Sequence, residues 1–71
     1  MKISYYPATD SLYIELNAKA SSDTREIGEG VVVDFDDQGN VVGIDIDNAT
    51  KKLDLASLET VELPVKPSKS A

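Results

Sequence analysis

The chain has 71 residues, enough for one domain, and domains this short bury only about 60% of the surface that their unfolded chains expose. It contains no cysteine and no histidine, which excludes disulfides, cysteine-based zinc sites and histidine catalysis. Thirteen acidic residues against seven basic ones give a net charge of −6. Because nucleic acid is bound largely through Lys and Arg, we expect neither nucleic acid nor an anionic membrane as partner.

The sequence also lacks the long apolar stretches that direct a chain to a membrane. No segment approaches the roughly 20 apolar residues that span a bilayer. The first residues alternate in polarity like a strand and do not form the apolar core of a signal peptide. Together with the absence of cysteine, these features predict a cytoplasmic protein.

Residues 2–6 and 12–17 predict a first β-hairpin. In both segments apolar and polar residues alternate with a period of two, which is typical of a strand with one buried face. The intervening residues are turn formers. Pairing Tyr5 with Leu12 brings all the apolar residues of the hairpin to one face.

Residues 24–27 predict a short strand after a polar loop, and the glycines at positions 28 and 30 predict a bulge or bend. Residues 31–36 and 41–47 predict a second hairpin. An even-numbered loop lets its apolar faces meet, whereas a three-residue loop does not. Two cross-strand pairs follow from the even loop: Phe35 with Val42, and Val33 with Ile44.

The C-terminal part predicts a thin cover for this sheet. Residues 49–58 carry apolar positions that allow a short irregular helix or two separate turns. The predicted fold class is therefore α+β, a small antiparallel β-meander of about four strands with one face covered by a short helical segment. Residues 1–63 form a single β-rich domain, and residues 64–71 form a flexible tail rich in Pro, Lys and Ser.

The second hairpin gathers the candidate site residues. In the predicted register four carboxylates lie on the face opposite the apolar one, where close pairs repel each other. A solvated outer face is the plainer interpretation. The functional interpretation is a docking surface for a basic protein. The four residues are Asp34, Asp36, Asp45 and Asp47.

A divalent cation is the alternative ligand for this hairpin. Residues 34–45 partly match a twelve-residue calcium loop, with Gly39 at its sixth position. The twelfth position lacks the usual glutamate, and strands rather than helices flank the loop, so a plain turn is the stronger interpretation. A cation would use Asp34, Asp36, Asn40 and Asp45.

The sequence offers no basis for an enzyme. It has no nucleophile motif and no phosphate-binding loop, and a sheet of this size leaves little volume for a pocket. We therefore predict no catalytic residue and no cofactor.

Three segments of the sequence stand in a distinctive order and spacing: residues 2–14 (KISYYPATDSLYI), 24–36 (TREIGEGVVVDFD), and 41–46 (VVGIDI) followed by 48–51 (NATK). Together they resemble a family of small bacterial proteins known as domain of unknown function 2283. The resemblance extends from residue 2 to about residue 58. It implies no activity or cofactor, and the genes of that family often look paired with small toxin-like proteins. An antitoxin-like or inhibitory role is thus implied.

The sequence as a whole predicts a non-enzymatic protein-interaction module that binds a basic partner. Two alternatives stay open. One is a cation-binding domain that uses the 34–45 hairpin, and the other is a purely structural homodimer.

Overall fold

The computed structural model describes residues 1–64 and shows one open antiparallel sheet. Five strands form it, not the predicted four, because the 23–28 segment pairs with the next strand, with a bulge at Ile27. The strands are β1 (Lys2–Tyr6), β2 (Ser11–Glu15), β3 (Asp23–Gly28), β4 (Val31–Phe35) and β5 (Val41–Asp47). A single helical turn, α1 (Ala49–Lys52), and a 3₁₀ turn (Leu55–Ser57) follow.

The strand order is β1-β2-β5-β4-β3, which is not a simple meander. The chain leaves β2 for the far edge of the sheet and returns strand by strand, so that β5 pairs with β2 in the centre. The two predicted hairpins are therefore joined side by side. Side chains of β2 thus lie beside those of β5, although residues 16–40 separate the two strands.

The predicted register is confirmed in the first hairpin, where Tyr5 lies opposite Leu12. In the second hairpin Val33 lies opposite Ile44 as predicted, but Phe35 pairs with Val41 instead of Val42. The backbone N–H of Asp36 donates to the Asn40 carbonyl at 2.8 Å, which closes a three-residue loop. A bulge then adds one unpaired residue to β5. The rest of the hairpin therefore pairs as it would across an even-numbered loop.

The hydrophobic core is small. Its four buried apolar residues are Leu12, Val33, Val42 and Ala49, and no large side chain among residues 1–64 is fully buried. The predicted C-terminal cover consists of two separate turns that leave part of the apolar sheet face open. Pro64 is described, whereas the rest of the predicted tail lies outside the described residues.

The two edges of the sheet differ in chemistry. On β3, Arg25 pairs with Asp23 at 3.4 Å, and its guanidinium lies 4.1 Å from the centre of the Phe35 ring. Charges on an exposed edge discourage pairing with another chain. At the opposite edge, β1 contains a single charged residue, Lys2. Within residues 1–64 no helix has the length and apolar character needed to cross a bilayer.

Candidate acidic docking face

Three of the four predicted carboxylates share one sheet face, opposite the apolar face. We call Asp34, Asp45 and Asp47 the acidic face. Asp34 lies on β4, and the other two lie two residues apart on β5. The cross-strand neighbours of Asp45 are Tyr13 on β2 and Val32 on β4, so the acidic face lies in the middle of the sheet.

Tyr13 fixes the geometry of Asp34. Its ring crosses β5 above Gly43, and its hydroxyl donates a hydrogen bond to Asp34 Oδ2 at 2.9 Å. A Cβ atom at position 43 would overlap the phenol oxygen, so glycine is what lets the ring pass. Thr24 Oγ1 donates to Asp34 Oδ1 at 2.9 Å, so both carboxylate oxygens have a donor.

The surroundings of Asp45, the central carboxylate of the acidic face, disfavour its ionised form. Burial raises the pKa of Asp45, and the negative charges of Asp47 and Asp34 raise it further. Within residues 1–64 the only ion pair joins Arg25 and Asp23, so no basic side chain of that region neutralises Asp45. The hydrogen bond to Asp34 likewise raises the pKa of the Tyr13 phenol, with burial and the Asp34 charge adding to it.

Asp47 is the exposed member of the acidic face. Its carboxylate accepts a hydrogen bond from Ser11 Oγ at 3.3 Å, and its backbone N–H donates to the Gly30 carbonyl at 2.8 Å. The backbone of Asp47 is thus tied to the sheet while most of the side chain faces solvent.

Asp36, the fourth predicted carboxylate, does not offer its charge on the surface. It is buried, 6% exposed, at the start of the hairpin loop. Its Oδ1 accepts the backbone N–H groups of Gln38 and Asn40 at 2.9 and 2.8 Å, and its Oδ2 accepts Asn40 Nδ2 at 3.2 Å. These bonds, led by the Asn40 backbone N–H, lower the pKa of Asp36. Its function in the structure is to hold the loop.

The predicted cation ligands already make hydrogen bonds within the protein. The carboxylate of Asp36 is occupied by loop donors, and Asn40 directs its side-chain amide N–H at it rather than an oxygen at a cation. Both oxygens of Asp34 accept hydroxyl hydrogen bonds. Across residues 1–64 no group of three His, Cys, Asp or Glu side chains is arranged to hold a metal ion.

Asp10 is a residue of structural importance that the sequence pattern does not reveal. It adopts a left-handed backbone conformation, φ 52°, in the turn between β1 and β2. Its carboxylate accepts the Tyr5 hydroxyl at 2.8 Å, the Thr50 hydroxyl at 2.7 Å and the Thr50 backbone N–H at 3.1 Å. The bond from the Thr50 hydroxyl is the main cause of its lowered pKa. Asp10 thereby fastens α1 to the sheet.

An open groove of about 850 Å³ lies on the other face of the sheet, between the first hairpin and the C-terminal turns. We call it the apolar groove. Its lining is mainly apolar, and the side chains that dominate it are those of Ile3, Tyr5, Leu12, Ile14, Leu53 and Leu58.

The family whose model matches the chain is described as "Protein of unknown function (DUF2283)", and the match covers residues 2–49. The chain belongs to this family, as the resemblance of its three segments predicts. The matched region contains all five strands and the acidic face, and it ends at the first residue of α1. No curated protein and no solved structure matches the chain.

Proposed function

We propose that this protein is a non-enzymatic interaction module that binds a basic protein segment on its acidic face. The observation that carries the proposal is the position of Asp45, a half-buried carboxylate flanked by the charges of Asp34 and Asp47. Within residues 1–64 no basic side chain forms an ion pair with these carboxylates, and like charges held close together cost the free protein stability. A cationic side chain from a partner would offset that cost.

The geometry favours arginine as the contacting residue. A planar guanidinium can donate two parallel hydrogen bonds to a carboxylate, and it also stacks on aromatic rings. The Tyr13 ring lies beside Asp45 on the same face. An Arg side chain of the partner would thus contact a carboxylate and the face of the phenol ring at the same time. Neither the ammonium of a Lys nor a neutral side chain would make both contacts.

An antitoxin-like or inhibitory role is compatible with this contact. A face of carboxylates complements a basic protein surface, and electrostatic complementarity raises the association rate and selects the partner. The central position of the acidic face on a hydrogen-bonded sheet keeps its carboxylates preorganised, which lowers the entropic cost of binding.

The test is affinity capture of the tagged protein from its native host, followed by elution with salt and mass spectrometry. We expect a basic protein in near-equal amount, released as salt rises because exposed ionic contacts are screened. The double variant Asp45→Asn/Asp47→Asn should no longer retain it. Recovery of an acidic or neutral protein as the main partner would contradict the proposal.

A charge-matched control separates the acidic face from net charge. Asp37→Asn/Glu29→Gln removes the same two negative charges from exposed turn positions outside the face. This variant should retain the basic protein as well as the wild type does. Equal loss in both double variants would show that overall charge, and not the acidic face, holds the partner.

A further inference from the structure

The apolar groove is a surface that the proposed partner contact leaves unused. Its rim is well exposed, because Ile3 is 48%, Tyr5 41% and Leu58 71% accessible to solvent. Single exposed apolar residues are ordinary, whereas several gathered in one concave surface mark an interaction site. The groove lies opposite the acidic face, so the two surfaces can be occupied independently.

We propose that a second copy of this chain covers the apolar groove, groove against groove, in a two-fold symmetric homodimer. This inference goes beyond the proposed function and does not rest on it. The dimer would leave both acidic faces outward and accessible, so that one assembly presents two docking surfaces.

Charge selects a second copy as the occupant. In a two-fold interface each patch meets its own copy, and each copy of this chain has a net charge of −6. The eleven described residues that line the groove include only Asp54 and Glu59 as acids, and no Lys or Arg. It is therefore a surface where two copies meet with little repulsion, and it offers no cation to an anionic partner.

Size and stability favour the same occupant. The molecule measures 32 × 28 × 22 Å, so one sheet face is broad enough for the roughly 800 Å² per partner of a standard interface. Among residues 1–64, four apolar residues are buried in the core. Chains below about 70–80 residues rarely obtain sufficient stability from one such core, and oligomerisation is a common supplement.

Sedimentation equilibrium of the full chain alone, over a concentration series, tests the inference. We expect the mass to rise from 7.6 kDa toward twice that value as concentration increases. A mass that stays at 7.6 kDa at every concentration, or that continues to rise past the dimer, overturns the proposal.

Point variants locate the interface. Leu58→Glu and Ile3→Glu each place two carboxylates in the dimer, where like charges repel, and both should raise its dissociation constant roughly tenfold or more. Leu58 is 71% exposed, so its substitution leaves the monomer folded, as circular dichroism will verify. Dimerisation unchanged in the Leu58→Glu variant overturns the proposal.

Ile27→Glu is the matched control, because Ile27 is 66% exposed on β3, away from the groove. It should dimerise like the wild type, and an equal loss of dimer would place the contact elsewhere. The Asp45→Asn/Asp47→Asn variant should also dimerise normally. Failure of partner capture and failure of dimerisation are thereby distinguished.

Discussion

At the scale of single residues, the acidic face depends on a pair that contributes no charge to it. Tyr13 reaches Asp34 only because Gly43 leaves room for its ring across β5. The ring in turn covers the backbone that a glycine exposes in a strand, a compensation known from aromatic side chains placed beside strand glycines. The orientation of Asp34 is therefore decided on two strands other than its own.

We predict that Gly43→Ala lowers the free energy of unfolding by about 1–3 kcal/mol, the usual cost of inserting a methyl group into a packed site. The added Cβ displaces the Tyr13 hydroxyl and breaks its bond to Asp34. In a Tyr13→Ala background the same substitution should be nearly neutral, since Ala suits a strand better than Gly.

Urea unfolding of the wild type, the two single variants and the double variant measures this coupling directly. Strict additivity of the two single effects would show that the ring and position 43 do not interact. Gly28→Ala serves as the control, because a Cβ added at position 28 meets no atom within 4 Å.

At the scale of elements, the loop of the second hairpin is organised by Asp36. Its carboxylate accepts three hydrogen bonds within five residues, and Gly39 supplies the positive φ of 85° that the loop requires. The hairpin β4–β5 carries the whole acidic face, so the loop sets the geometry of the site from one end.

Asp36→Ala should lower the urea midpoint of unfolding because two backbone N–H groups in the loop lose their acceptor. Asp36→Asn keeps an acceptor oxygen and should therefore lower the urea midpoint less than Asp36→Ala does. Asp37→Ala, one residue further along and exposed, should leave the midpoint close to that of the wild type. A loss for Asp37→Ala equal to that for Asp36→Ala would contradict the assigned function of Asp36.

The hairpins and the shared face of Asp34, Asp45 and Asp47 could be predicted from the sequence, because alternation with a period of two is local information. The burial of Asp36 could not, because it depends on a three-residue loop closed between Asp36 and Asn40, and such a loop with a bulge in β5 has the same alternation as an even loop. The contact between Tyr13 and Asp34 could not be predicted from the sequence either. It requires β5 to lie between β2 and β4, a non-local pairing that no short segment specifies.

At the scale of the whole molecule, three carboxylates make stability depend on pH in opposite directions. The folded-state pKa values of Asp10 and Asp36 are lowered, mainly by hydrogen bonds from Thr50 and Asn40 respectively. Each contributes stability above its unfolded pKa that is lost as pH falls through its folded pKa. The pKa of Asp45 is raised, so its ionised form costs stability, and that cost disappears on protonation.

Acidification from neutral pH should therefore first relieve the cost at Asp45 and then remove the stability contributed by Asp10 and Asp36. Urea midpoints measured from about pH 7 to about pH 3 test this order. Asp45→Asn should raise the free energy of unfolding at neutral pH by roughly a few tenths of a kcal/mol, the usual size of a lost like-charge contact, and with it the midpoint. Its advantage over the wild type should vanish below the unfolded pKa, where both side chains are neutral.

Asp10→Asn is the complementary variant, because asparagine tolerates the left-handed backbone at this position but does not titrate. It should be less stable than the wild type at neutral pH, and the difference should shrink as the medium becomes acidic. A constant difference across the whole range would mean that the Asp10 carboxylate has the same pKa in the folded and unfolded chains. A pH-independent effect of Asp45→Asn would likewise contradict the proposed function, because it would show that the neighbouring charges do not disfavour the ionised form of Asp45.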